Sequence, residues 1–156
     1  MIFAIENARP DHHERLSEIA HAAKRHWGYP ESWIARWRET LTVTPEFIEE
    51  NEVFVAIVGG EIAGFSALIK SGSKVSLEHL WIHPQYMGRG LGKELLAHAL
   101  RAAARLAATS VEIESDPNAE SFYKKMGARK IGETSSLLEG HERILPLLVI
   151  DTTALS

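Results

Sequence analysis

Cysteine is absent from the 156 residues. That excludes disulfides, thiolate metal sites and a cysteine nucleophile. Basic charge is also in deficit: 17 Lys and Arg face 21 Asp and Glu, for a net charge of -4. A general nucleic-acid binder needs a basic face, so nucleic acid is not an expected partner, although a local basic pocket remains open. Long apolar runs are missing as well. The N-terminal MIFAIENARPDHHE is too short in apolar residues for a leader, and nothing else approaches a membrane span. The expectation is a soluble, cytoplasmic protein without membrane contact. His12 and His13 are adjacent at the start of a helix and point apart, so no metal site is expected.

What is present is ordinary globular composition, 45% apolar and 24% charged. A chain of this length buries roughly 68–70% of its unfolded surface, enough for a real core. Repeats, low-complexity segments and linkers are lacking, so residues 1–156 read as one domain.

The order of elements follows from period and punctuation. Ile2–Ala8 alternates as a strand. Asp11 and Glu14 then suit a capping box, before Leu16, Ile19, Ala20, Ala23 and Trp27 at helical spacing. ESWIARWRETL predicts a second helix, and Thr44-Pro45 starts a short third. Two β-rich runs flank Gly59-Gly60 as a hairpin, and KVSLEHLWIHP adds a strand ended by Pro84. From Gly88 the period turns helical, with Leu91, Leu95, Ala99 and Ala103 on one stripe and Leu96 and Leu106 beside it. SVEIES is a strand, Asp116-Pro117 opens a helix closed by Gly127, and two final strands flank the EGH turn.

At a strand-to-helix junction stands MGRGLG, with Gly88, Gly90 and Gly92 alternating with Arg89 and Leu91. Free amides at a helix start, with the helix dipole, attract anions, and glycine lets a ligand approach them. The run is one residue too short for a P-loop, and Glu94 replaces its Ser or Thr. It also misses the dinucleotide pattern, because Lys93 stands where the third glycine belongs. A nucleotide-phosphate binder is therefore disfavoured.

LWIHPQYMGRGLGKELL followed by DPNAESFYKKMG resembles the GCN5-related N-acetyltransferase (GNAT) family. The first segment is similar to its acetyl-CoA motif [QR]-x-x-G-x-[GA], the second to its CoA-side helix. The resemblance covers nearly the whole chain and is strongest from Glu61 to Gly132. It implies an α/β (α+β) fold: a central mixed, mostly antiparallel sheet of about six or seven strands with helices on both faces. It also implies acetyl transfer from acetyl-CoA to a primary amine of a small molecule or protein. A non-catalytic CoA-binding or sensing module is the alternative. Homodimers are common in the family.

By the same resemblance, Leu80, Trp81 and Ile82 hold the pantetheine arm, and Gly88, Arg89, Gly90, Leu91, Gly92 and Lys93 surround the pyrophosphate. Met87 stands where the family has Arg or Gln, which removes a polar side chain and leaves a backbone amide. The pattern also fits two residues earlier, from Gln85. Tyr123 matches the tyrosine at the CoA sulfur and is the candidate general acid; Asn118 matches an asparagine that bonds the cofactor. For the base, Glu78 and His79 both lie on the strand beside the pantetheine. Glu112 and Glu114 are weaker candidates, and a base elsewhere, or water, stays open. Simple alternation sets Glu78, Leu80 and Ile82 on one face and His79, Trp81 and His83 on the other, and a bulge would change this. Without cysteine, no thiol-linked acetyl-enzyme forms, so direct attack in a ternary complex is expected. Three of the four tryptophans lie between residues 27 and 37. Trp27 and Tyr29, in the break between helices, are candidates for the acceptor pocket. Trp33 and Trp37 read as core.

Overall fold

The computed structural model describes residues 2–156. Strand β1 (Ala4–Asn7) leads to α1 (His13–His26) through a 3₁₀ turn at Pro10–His12. Asp11 does not cap α1 as expected. Pro10 starts the turn a residue early, and Asp11 falls inside it, paired with Arg9 at 3.1 Å. The single helix expected from ESWIARWRETL is two, α2 (Glu31–Arg36) and α3 (Arg38–Leu41), broken at Trp37. The short α4 (Pro45–Glu50) starts as its sequence dictates, Thr44 Oγ1 accepting from the Phe47 amide at 3.1 Å.

A meander follows: β2 (Glu52–Val58), β3 (Glu61–Ser71) and β4 (Lys74–Ile82). Gly59 and Gly60, with φ of 58° and 82°, give its first turn the twist a two-residue hairpin favours. Then come α5 (Leu91–Arg105), β5 (Ser110–Glu114), α6 (Glu120–Lys125), β6 (Arg129–Leu138) and β7 (His141–Asp151). The strands form one seven-stranded sheet in the order β1-β2-β3-β4-β5-β7-β6.

Each face of the sheet carries its own core. Helix α5 covers one, burying Leu91, Leu95, Leu96, Ala99 and Ala103 against Phe54, Leu77, Ile113 and Leu148. The N-terminal helices cover the other, with Leu16, Ile19, Leu41 and Ile48 on Val53, Val55 and Phe65. The stripe read from the α5 sequence is the buried one, with Leu106 only half-buried.

Two irregularities in β4 position the site. Ala67 of β3 pairs with His79 and Leu68 with Leu77, so Glu78 is an extra residue without a partner. This bulge lets Val75 and Leu77, and after it Leu80 and Ile82, share the α5 face, while His79 and Trp81 face the N-terminal helices. Glu78 thus stands apart from the pair Leu80 and Ile82 with which alternation grouped it. The second irregularity is that β4 and β5, the one parallel pair, meet only at Ser76 and Glu112 and then part.

Gly64 holds the far end of β4 close to β3. A Cβ there would come within 2.6 Å of Ile82 Cδ1 and 2.7 Å of the Trp81 carbonyl oxygen. Gly64→Ala should therefore destabilise the protein by about 1–3 kcal/mol, read from urea unfolding. An unchanged midpoint would contradict this account of the strand pair.

Candidate active site

Beyond Ser76, among the described residues, no further ladder pair joins β4 to β5, and a cavity of about 1070 Å³ opens between the diverging strands. Leu80, Trp81 and Ile82 line it, and backbone groups they turn away from β3 face the gap. Across the gap lie Ile113, Ser115 and Asp116, with Tyr123 from α6 and Arg143 from β7.

At the mouth, His83 anchors the exit of β4. Its amide donates to the Ala63 carbonyl at 2.8 Å, and its Nδ1 accepts from the Gln85 amide at 3.2 Å. The chain then turns through Gly88 and Gly90, at φ of 78° and 82°, where a side chain would be strained. The first backbone bond of α5 runs from the Glu94 amide to the Gly90 carbonyl at 3.2 Å. Among the described residues, the amides from Gly88 to Lys93 have no backbone partner. The Met87 amide, which remains when the polar side chain is lost, donates to the Pro84 carbonyl at 3.4 Å, because Pro84–Tyr86 winds into a 3₁₀ turn. Arg89 stacks over Tyr86 at 5.4 Å, and neither Arg89 nor Lys93 forms an ion pair among the described residues.

Deeper in lies a charged, aromatic cluster that ties the end of β5 to α1. Asp116 accepts from Lys24 Nζ at 2.5 Å, from the Tyr29 hydroxyl at 2.9 Å and from the Asn118 amide at 2.8 Å. Burial pushes the Asp116 carboxyl up, but Lys24, Asn118 and Tyr29 outweigh it and hold it below its ordinary value. Burial lowers Lys24 against the pull of Asp116. The Lys24 ammonium also sits over the Trp37 ring at 4.2 Å. Burial, then the Asp116 charge, pushes the Tyr29 hydroxyl up to about 12. Asn118 spends its side-chain amide on Tyr29 and Asp116, at 2.9 and 3.0 Å.

The other candidates divide clearly. Tyr123 is buried on the cavity wall, and burial, then Asp116, raises its hydroxyl above the ordinary tyrosine range. Glu78 is exposed on its bulge and borders the same cavity. His79 is buried between Phe47 and Phe65, and its Nδ1 accepts from Trp81 Nε1 at 3.0 Å. Desolvation pulls its ring down to about 4, which makes it a weak base.

Trp27 and Tyr29 both lie close to the cavity: Trp27, 40% exposed, borders it, and Tyr29 is half-buried in the cluster. Trp33 and Trp37 are not simple core. With Tyr29 they form an aromatic box, ring centres 5.0–6.0 Å apart, and Trp37 reaches the cavity. Lys24 and Arg143 were not among the residues singled out from sequence. The available signal was a lysine at position 24, on the stripe set by Leu16, Ala20 and Ala23.

A mixed sheet parted at its one parallel pair, with a glycine-shaped helix start at the mouth, defines a fold of the N-acetyltransferase class. The chain belongs to the GNAT family: the family model described as Acetyltransferase (GNAT) domain matches residues 27–137. It is similar to the peptidyl-lysine N-acetyltransferase YjaB of Salmonella typhimurium, 31% identical over 121 residues, covering 67% of this chain and 79% of YjaB. It is also 30% identical over 91 residues to the uncharacterized N-acetyltransferase YvbK of Bacillus subtilis, across 56% of this chain. That match spans 59% of YvbK, less than two thirds of its length. The fold matches the PaiA N-acetyltransferase of Thermoplasma acidophilum, a crystal structure in complex with coenzyme A. The TM-score is 0.75 at 21% identity, over 97% of this chain and 99% of that one.

His79 should make the fold acid-sensitive. Its ring titrates at about 4 folded and near 6.5 unfolded. Between those values the unfolded chain binds a proton the folded chain refuses, so stability falls as pH falls through the window, by at most about 3 kcal/mol. His79→Phe should shrink the loss of urea stability between pH 7 and 4.5. An undiminished loss would contradict the assignment.

Proposed function

We propose that the protein is an acetyl-CoA-dependent N-acetyltransferase that acylates a primary amine directly in a ternary complex. The observation that carries this is the parted β4–β5 pair, which offers unpaired backbone to an extended ligand. The residues at the mouth fit the cosubstrate's phosphates. Among the described residues, Gly88 and Gly90 have nothing within 4 Å of where a Cβ would stand, the amides behind them have no backbone partner, and Arg89 and Lys93 form no ion pair.

Acetyl-CoA supplies the activated acetyl group. In our reading Leu80, Trp81 and Ile82 align its pantetheine arm, and the amides from Gly88 to Lys93 hold its pyrophosphate. Met87 contributes packing only. Tyr123 keeps its proton at neutral pH, held by burial, and gives it to the departing sulfur. Glu78, at the bulge and open to water, takes the proton of the incoming ammonium, directly or through a water. His79 is too weakly basic for that step and serves as packing. Asn118, whose side-chain amide is spent on Tyr29 and Asp116, serves to hold that cluster and not to bond the cofactor.

Thiol release from acetyl-CoA across a panel of amines tests the activity, with calorimetry against CoA, ATP and NAD testing the ligand. Tyr123→Phe should lower kcat by about 10²-fold or more while KM for acetyl-CoA holds. Binding of CoA without turnover of any amine would instead support a sensing module. An unchanged kcat in the variant would remove Tyr123 from the mechanism.

A further inference from the structure

The guanidinium of Arg143 is not explained by the cosubstrate. Along β7, Leu148 and Ile150 pack with the α5 core, so Arg143, Leu145 and Leu147 turn to the opposite face. The glycine turn and α5 lie on the first face, and Arg143 faces the N-terminal helices. It is therefore on the acceptor side of the parted sheet, yet it borders the same cavity.

Its surroundings are built. The guanidinium sits over the rings of Trp37, Tyr29 and Trp33, at 4.9, 5.2 and 5.8 Å. It carries five N–H donors. Among the described residues, it makes one bond, from Nη2 to the Tyr29 hydroxyl oxygen at 3.1 Å, and no ion pair. Asp116, which shares the Tyr29 hydroxyl with Arg143, is itself engaged by Lys24 at 2.5 Å. A half-buried cation held by aromatic rings on the wall of a cavity is poised for an anion.

We propose that Arg143 binds a carboxylate of the acceptor, so that the amine acetylated belongs to an amino acid or a similar amino-carboxylate. The charge count selects a carboxylate over a phosphate. Lys24 and Asp116 cancel, which leaves one positive charge for a monoanion, where a phosphate dianion would call for about two. The aromatic box already holds two cations, Lys24 and Arg143, over the Trp37 ring, which disfavours a third. This inference rests on the acetyltransferase reading for the identity of the reacting group, but the anion site stands on its own geometry.

The test compares the common amino acids, β-alanine and γ-aminobutyrate with their amides, on the wild type, Arg143→Gln and Arg143→Lys. Thiol release gives KM and kcat, and calorimetry with CoA present gives dissociation constants for the same acid and amide pairs. The wild type should favour at least one acid over its amide by roughly 10- to 100-fold in KM or Kd. Arg143→Gln should abolish that preference while KM for acetyl-CoA is unchanged, and Arg143→Lys should restore part of it. Binding preference without turnover would uphold the anion site and refute the acetyltransferase reading. Equal handling of acids and amides, no binding of either, or a preference that survives in Arg143→Gln would overturn the proposal.

Discussion

The structure depends on the parting of β4 from β5. Among the described residues these are the only parallel neighbours in the sheet, and they meet at a single pair, Ser76 and Glu112. Parallel strands need a crossover, and α5 supplies it, burying its leucine and alanine stripe on the face where the strands diverge. The divergence leaves main-chain donors and acceptors of Leu80–Ile82 facing a cavity, where each must meet water or a ligand. A defect in the ladder thus becomes a template for an extended molecule.

Other features follow from that gap. The bulge at Glu78 turns His79 and Trp81 toward the N-terminal helices and leaves a carboxylate at the rim. Gly64 admits the close approach that holds the free end of β4 to β3. The Lys24–Asp116 pair fastens α1 to the far side, where β5 has ended and no strand bond can do so. Both side chains are about nine-tenths buried, at 11% and 9% exposure. Removing either alone would strand a charge, which makes this pair a fixed post rather than a source of net stability.

Much of this was legible in the sequence. The hairpin glycines, the α5 stripe and the order of elements follow from turn chemistry and period, which are local properties. MGRGLG and DPNAESFYKKMG marked the family before any coordinate. The acceptor side was less legible because its parts are far apart in the chain. Lys24, Tyr29, Asp116 and Arg143 meet only through tertiary packing, and a lysine on a helix ordinarily reads as solvated. The break at Trp37 was hidden for a related reason. Good helix formers surround it, and the partners of the Trp37 ring, Tyr29 and Lys24, are tertiary contacts that the local sequence does not record. The bulge at Glu78 is likewise set by pairing with β3, which one strand's sequence does not record.

Amide hydrogen exchange with and without CoA tests the central claim most directly, because it reads the backbone groups themselves. The account predicts that CoA slows exchange in two segments above all, Leu80–Ile82 on β4 and Gly88–Lys93 at the start of α5. Protection confined to other segments, or CoA bound with these amides still exchanging freely, would contradict it.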